Sequence, residues 1–173
     1  MINKKDWKSS KINIQDNSIA GKGMFANQDI KEGEELIVFG GDYVDKKQAE
    51  EYIKKGKLVM HWDDNLYSYE DKGNEEGYFI NHSCDPNMWM VDAHTLVARE
   101  DIKKGKELNI DYALWEARED YISRWNCKCG SNLCRGRVTG KDWRDPELQE
   151  RYKNHFSPLL NKRIESHTAH TAD

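Results

Sequence analysis

The four cysteines of this chain fall in two stretches far apart in sequence. Cys84 lies within Asn81-His82-Ser83-Cys84-Asp85-Pro86-Asn87, while Cys127, Cys129 and Cys134 form a C-x-C-x4-C cluster. Cys127 and Cys129 are too close together for an easy mutual disulfide. Gly130 allows the tight turn that brings Cys134 round. The triplet therefore reads as a metal-binding set that needs a fourth ligand, with Cys84 as one candidate and His82 as the other. Four thiolates would close a tetrahedral zinc site and leave no position for water. Such a metal puts its free energy into folding and positioning, and pins a late segment onto the middle of the fold.

With 173 residues the chain is long enough for one domain with a core plus small appendages. Six Trp and eight Tyr supply large apolar contacts in a chain that is 34% charged. No run of about 18 apolar residues predicts a membrane span. Met1-Ile2-Asn3-Lys4-Lys5 leads into no apolar stretch, so no secretory signal is expected. The expected location is intracellular, cytoplasmic or nuclear, where reducing conditions favour free or metal-bound thiols. A net charge of −4 argues against a general nucleic-acid binder and suits a basic partner. Asp63, Asp64, Glu70, Asp71, Glu75 and Glu76 cluster with Lys72 as the one basic residue among them. They read either as a solvated loop face or as a rim that steers a lysine-rich peptide.

Short strands and frequent turns dominate the pattern. Ile12 and Ile14 alternate with polar residues over 11–16, as in a half-buried strand. Residues 18–23 read as a turn with two glycines. Strands are expected at 35–39, stopped by Gly40-Gly41, and at 66–69, 95–98 and 108–112. Asp45 and Gln48 form a capping box for a short helix ending near Gly56. Pro146 after Asp145 opens a helix towards Tyr152, and Ser157-Pro158 repeats that signal with Leu160 and Ile164 on one face. The segment 166–173 has no large apolar residue and is expected to be disordered.

Four motifs in order give these residues a family. Gly21-Lys22-Gly23-Met24-Phe25-Ala26 resembles the opening G-x-G motif of the SET-domain protein lysine methyltransferases. Phe79-Ile80 with Asn81 to Asn87 is similar to the family's central motif almost letter for letter. Glu107-Leu108-Asn109-Ile110-Asp111-Tyr112 resembles its E-L-x-h-D-Y motif, and Cys127 to Gly136 its cysteine-rich post-SET segment. The resemblance covers residues 10–138. It implies a mainly β fold with short helices: the SET-domain β-clip of small sheets with a pseudoknot, a four-cysteine zinc knuckle and, here, a helical C-terminal tail. The boundaries expected are an N-terminal extension at 1–8, the SET domain at 9–114, the post-SET zinc segment at 115–138, a helical extension at 139–165 and a tail at 166–173. In post-SET members the central-motif cysteine completes a structural zinc site, which here is Cys84 with Cys127, Cys129 and Cys134.

The reaction implied moves a methyl group from S-adenosyl-L-methionine to the ε-amine of a lysine in a protein or peptide, expected to be basic. The lysine must arrive uncharged, although its ordinary pKa is about 10.4. A narrow apolar channel favours that state. By resemblance Tyr112 is the catalytic tyrosine and Asp111 is structural. Asn81 and His82 are expected to bind the cofactor, with Lys22, Gly23 and Met24 passing it at backbone level and Leu133 covering the adenine. Phe39 stands where many members carry a tyrosine, and Gly77-Tyr78 where chromatin-modifying members often carry an arginine. Ile110 lies at a position that influences methyl number, and its lack of a hydroxyl implies capacity for two or three methyls. Trp115 reads either as a channel wall or as plain packing. Tyr67 and Tyr69 share a strand face and read either as channel residues or as cross-strand packing.

Two rival readings remain at this level. One is a SET-like interaction module without catalysis, which Phe39 keeps open and which Tyr112, Asn81 and His82 oppose. The other is a zinc-stapled nucleic-acid binder, which the acidic net charge opposes. The segment 141–164 lies beyond the family motifs; Trp143, Phe156 and Leu160 suit packing either on the domain or against a second subunit in a homodimer.

Overall fold

The computed structural model of the protein describes residues 6–17, 19, 21–40, 42–70 and 79–170. In chain order the elements are β1 (Trp7–Lys8), β2 (Ile12–Asn17), β3 (Gly21–Ala26), β4 (Glu35–Val38), β5 (Asp42–Val44), α1 (Lys46–Lys54), β6 (Leu58–Asp63), β7 (Leu66–Glu70), β8 (Asn81–His82), β9 (Met88–Met90), β10 (Thr95–Ala98) and β11 (Glu107–Ile110). A 3-10 turn follows at Tyr112–Leu114, another at Asp142–Arg144, then α2 (Pro146–Arg151) and α3 (Pro158–His170).

The strands form three small sheets, ordered β1-β4-β10-β9, β2-β3-β11-β8 and β5-β7-β6. The mainly β architecture expected from the sequence is the one observed. β10 lies between β4 and β9 and is buried along its whole length. β2 buries Ile12 and exposes Asn13, as its alternation predicts. β3 begins at Gly21, so the glycines read as turn residues reach into a strand instead. Gly23 is needed there for space: a Cβ at this position would overlap Glu107 Oε1 and come within 3.0 Å of Asn81 Nδ2.

The capping box of α1 forms as read: Gln48 N donates to Asp45 Oδ1 at 2.9 Å and Asp45 N to Gln48 Oε1 at 3.2 Å. Its chain reversal passes through Gly56 at φ +73°. Pro146 opens α2 after Asp145, whose carboxylate accepts from Glu147 N at 2.9 Å.

The segment after the cysteine cluster packs on the domain itself. Trp143, Leu148, Tyr152, Phe156, Leu159 and Leu160 are buried in one cluster with Met24, Leu96 and Ile110 from the sheets. Ser157 N donates to Leu114 O at 2.7 Å, and His155 stacks on Trp89 with ring centroids 3.5 Å apart. The disorder expected over 166–173 does not hold for 166–170, which continue α3. Ser166 Oγ donates back to Lys162 O at 2.8 Å, and His167 meets the Trp143 ring at 5.5 Å. Residues 171–173 lie outside the described residues. Among the described residues no helix is long and apolar enough to cross a membrane.

Candidate active site

β8 and β11 pair in parallel, with Asn109 opposite Asn81 and Ile110 opposite His82. Asn87 reinforces this pairing from the far end of its motif. Its Oδ1 accepts from Asn109 N at 3.0 Å and its Nδ2 donates to Glu107 O at 2.8 Å. Two motifs some 30 residues apart in sequence thus become one platform, about as long as two short strands.

Tyr112 leaves that platform on a 3-10 turn, not in a strand, because Asp111 caps it: Ala113 N donates to Asp111 Oδ1 at 3.0 Å. Tyr112 N donates to His82 Nδ1 at 3.3 Å, and its hydroxyl donates to Ile80 O at 2.7 Å. Burial pushes the Tyr112 hydroxyl far above its ordinary pKa, so it is a protonated donor and not a base. His82 is pulled down to about 4, chiefly by burial, with Asp111 working the other way. It is therefore neutral at physiological pH. Nδ1 accepts from Tyr112, which assigns the proton to Nε2, 3.3 Å from Cys84 Sγ.

The four sulfurs of Cys84, Cys127, Cys129 and Cys134 lie within 4.8 Å of one another. The Cys84–Cys127 separation is 3.9 Å. A tetrahedron with Zn–S bonds of about 2.3 Å has edges of about 3.8 Å, so the cluster fits zinc. His82 stands outside it, bonded to the Cys84 sulfur, which leaves Cys84 as the fourth member. Gly130 at φ +73° makes the turn that returns Cys134. The Cys84 thiol is pushed up to about 11, chiefly by burial, with the Arg135 N–H, 3.3 Å from its sulfur, working the other way. A bound dication would favour the thiolate decisively. These residues would hold the metal as a closed structural site.

Arg135 links this cluster to the residue before Tyr112. Its NH1 and NH2 donate to Asp111 Oδ2 and Oδ1 at 2.7 and 2.6 Å, and its Nε to Asp142 at 3.1 Å. Burial disfavours its charge, but the Asp111 carboxylate outweighs that and raises its pKa. Asp111 is fully buried, so this bidentate pair satisfies a charge that water cannot reach.

Tyr112 borders two cavities. The larger, of about 770 Å³, is lined by Asn81, His82, Asn109, Glu107, Trp125 and the Cys127–Cys129 backbone segment among others. That size suits a cofactor-scale molecule. The smaller, of about 230 Å³, is walled by Phe39, His61, Tyr67, Tyr112, Trp115 and Tyr121, with Glu116 and Arg118 also lining it. It has the size of a side chain, and its walls are largely aromatic.

The structure brings half of the predicted catalytic, cofactor and channel residues to these two spaces. Asn81, His82 and Tyr112 line the larger one. Lys22 meets it indirectly: its carbonyl accepts from Asn81 Nδ2 at 2.9 Å. Gly23 packs against the same amide, and Met24 is fully buried in the core. Leu133 is 42% exposed and does not line the cavity. Phe39, Tyr67 and Trp115 line the smaller space. Trp115 also packs, edge-on to Phe39 at 5.8 Å and stacked on Tyr112 at 5.7 Å, while bordering the smaller cavity. Tyr69 instead stacks on Tyr52 at 3.8 Å, and Ile110 lies in the core behind Tyr112. Of the acidic stretch, Asp63 and Asp64 face Lys162 at 3.5 and 3.4 Å. The side chains of 70–78, and with them the Gly77-Tyr78 departure, lie outside the described residues.

Three residues escaped the sequence reading. Trp125 packs on His82 at 5.7 Å and Tyr112 at 6.2 Å, two residues before Cys127. Glu107 Oε1 accepts from Asn81 and Asn17 Nδ2, each at 2.7 Å. Arg135 sits next to the last cysteine. Glu107 was visible as the first letter of its motif; Trp125 and Arg135 had only their closeness to the cysteines to mark them.

This fold, with two stitched motifs, a four-sulfur cluster and a tyrosine between two cavities, defines a class. The SET domain family matches residues 21–113, more than half of the chain, and the chain belongs to that family. It is 35% identical over 135 residues to the histone-lysine N-methyltransferase ASHH2 of Arabidopsis thaliana, covering 69% of this chain and 8% of that protein. It is 33% identical over 135 residues to ASHH3 of the same plant, covering 68% of this chain and 35% of the relative. With the H3 lysine-36 specific histone-lysine N-methyltransferase of Candida albicans it shares 28% identity over 155 residues, covering 80% of this chain and 18% of the relative. The chain thus spans a minor part of the length of each of these relatives.

Proposed function

We propose that this chain is an S-adenosyl-L-methionine-dependent protein-lysine N-methyltransferase acting on a lysine of a histone or another basic protein. The observation that carries this reading is the position of Tyr112 on the shared border of a cofactor-sized cavity and a side-chain-sized aromatic cavity. S-adenosyl-L-methionine supplies a methyl group already activated on a positively charged sulfur.

The chain's own residues have three tasks. Asn81 and His82, held by β8–β11 pairing, bind the cofactor from the larger cavity, with Lys22, Gly23 and Met24 framing them at backbone level. Phe39, Tyr67 and Trp115 take the lysine side chain; the apolar and aromatic part of the lining disfavours the ammonium and so favours an amine with its lone pair free. Tyr112, protonated and fixed by Ile80 and His82, orients that amine. With the cofactor bound, the nitrogen lone pair would take the methyl while the carbon–sulfur electron pair stays on sulfur as a neutral thioether, and the methylammonium so formed would give up one proton to solvent. Alignment supplies most of the acceleration.

Zinc would be structural, held by the four sulfurs. A nuclear or cytoplasmic location follows from the proposed histone-like substrate. A basic substrate agrees with the net charge of −4. The non-catalytic alternative is the less favoured, because the tyrosine, the platform and both cavities are all in place. The test is transfer of labelled methyl from the cofactor into core histones by the zinc-loaded protein. Label in histone supports the reading, and neither transfer nor cofactor binding would overturn it.

A further inference from the structure

Asp111 has two oxygens with about four acceptor positions between them. Oδ1 takes Ala113 N at 3.0 Å and Arg135 NH2 at 2.6 Å. Oδ2 takes Arg135 NH1 at 2.7 Å and the hydroxyl of Tyr152 at 3.2 Å. The fourth partner therefore comes from the segment after the zinc knuckle, beyond the part of the chain that matches the family. The same hydroxyl shares its proton with Cys84 O at 3.3 Å, a carbonyl that Arg151 NH1 also reaches at 3.4 Å. Tyr152 is fully buried, so water cannot replace that hydroxyl.

Resting on the methyltransferase reading, we propose that Tyr152 is a positioning residue for methyl transfer, through which the C-terminal extension holds both the cap of the Tyr112 turn and the backbone of the zinc ligand Cys84. The argument runs through Asp111. His82 Nδ1 is 3.7 Å from Oδ1 but accepts from Tyr112 N, so it has no proton to offer. Without the Tyr152 hydroxyl, Oδ2 loses a partner in a dry site. A carboxylate that turns to recover one pulls against the Ala113 cap, which sets the first turn carrying Tyr112. Misplacing a catalytic group by about 1 Å can cost about 100-fold in rate. The extension is then part of the catalytic unit and not an appendage.

The test compares the full-length, zinc-loaded wild type with Tyr152→Phe and Leu160→Val. Leu160 is buried in the same extension, and its backbone N–H bonds Ser157 and not Asp111, Tyr152 or Cys84, so Leu160→Val is expected to lower Tm and leave kcat unchanged. Tyr152→Phe is expected to lower kcat by about tenfold or more while KM for the histone substrate stays within about twofold. It is also expected to release zinc faster to a chromogenic chelator, because the Cys84 carbonyl loses a donor. Unchanged kcat in Tyr152→Phe, beside an active wild type, overturns the proposal. An inactive wild type overturns the methyltransferase reading instead; zinc release then decides alone, and an unchanged release rate overturns the Tyr152 link.

Discussion

Arg135, the residue after the last cysteine, donates to both carboxylate oxygens of Asp111, the residue before Tyr112, at 2.7 and 2.6 Å. The four-sulfur cluster and the turn that carries Tyr112 are therefore tied directly to one another. Removing one partner of such a buried pair leaves an uncompensated charge, at a cost of about 3–5 kcal/mol. Arg135→Leu is expected to lose stability on that scale in chemical denaturation. Arg135→Lys keeps the charge but not the fork, and should fall between the two. A loss below about 1 kcal/mol for Arg135→Leu would contradict the role given to this pair.

Cys129 touches no reacting group, yet its sulfur belongs to the cluster beside the larger cavity. Cys129→Ser, or stripping with a chelator, is expected to weaken cofactor affinity by at least about tenfold, or about 1.4 kcal/mol. Titration calorimetry with S-adenosyl-L-methionine reads this directly. Wild-type affinity in zinc-free protein would break the proposed coupling.

A methyl added at Gly23 would overlap the Glu107 carboxylate and come within 3.0 Å of Asn81 Nδ2. Gly23→Ala must push Glu107 off Asn81, whose amide also holds the Lys22 carbonyl at 2.9 Å. The expected result is a cofactor Kd raised about tenfold or more with a modest change in Tm. A rise in KM for peptide with unchanged cofactor Kd would place the glycine elsewhere in the scheme.

The site was largely legible because motif residues act through contacts that their own spacing dictates. The 81–87 and 107–112 stretches become adjacent strands, and the cysteine count alone leads to four clustered sulfurs. Capping chemistry at Asp45 and Asp145 was equally local and readable. What escaped depends on distant partners. Gly56 marks the end of α1, but β6 after it escapes the sequence reading, and it is defined by its antiparallel pairing with β7. Tyr152 reads as the end of a short helix; its hydroxyl acquires meaning only beside Asp111, 41 residues away. His167 likewise meets the Trp143 ring at 5.5 Å, a contact that no periodicity within the helix reveals.

Ile110 places an apolar, fully buried side chain two residues before Tyr112, with no hydroxyl to order a water beside the amine. Intact-mass analysis of a methylated peptide is therefore expected to show a second methyl, and with time a third. A product that stops at one methyl under excess cofactor would contradict this reading of Ile110.

The central claim is that the Tyr112 hydroxyl, between the two cavities, orients a lysine amine for methyl transfer. Tandem mass spectrometry of core histones incubated with labelled cofactor tests it most directly when wild type and Tyr112→Phe are compared, with cofactor Kd measured for both. The expected result is label on a lysine ε-amine with wild type, a fall of about 10²–10⁴-fold with Tyr112→Phe, and similar cofactor affinity. Equal labelling by Tyr112→Phe, or label on residues other than lysine, would contradict it.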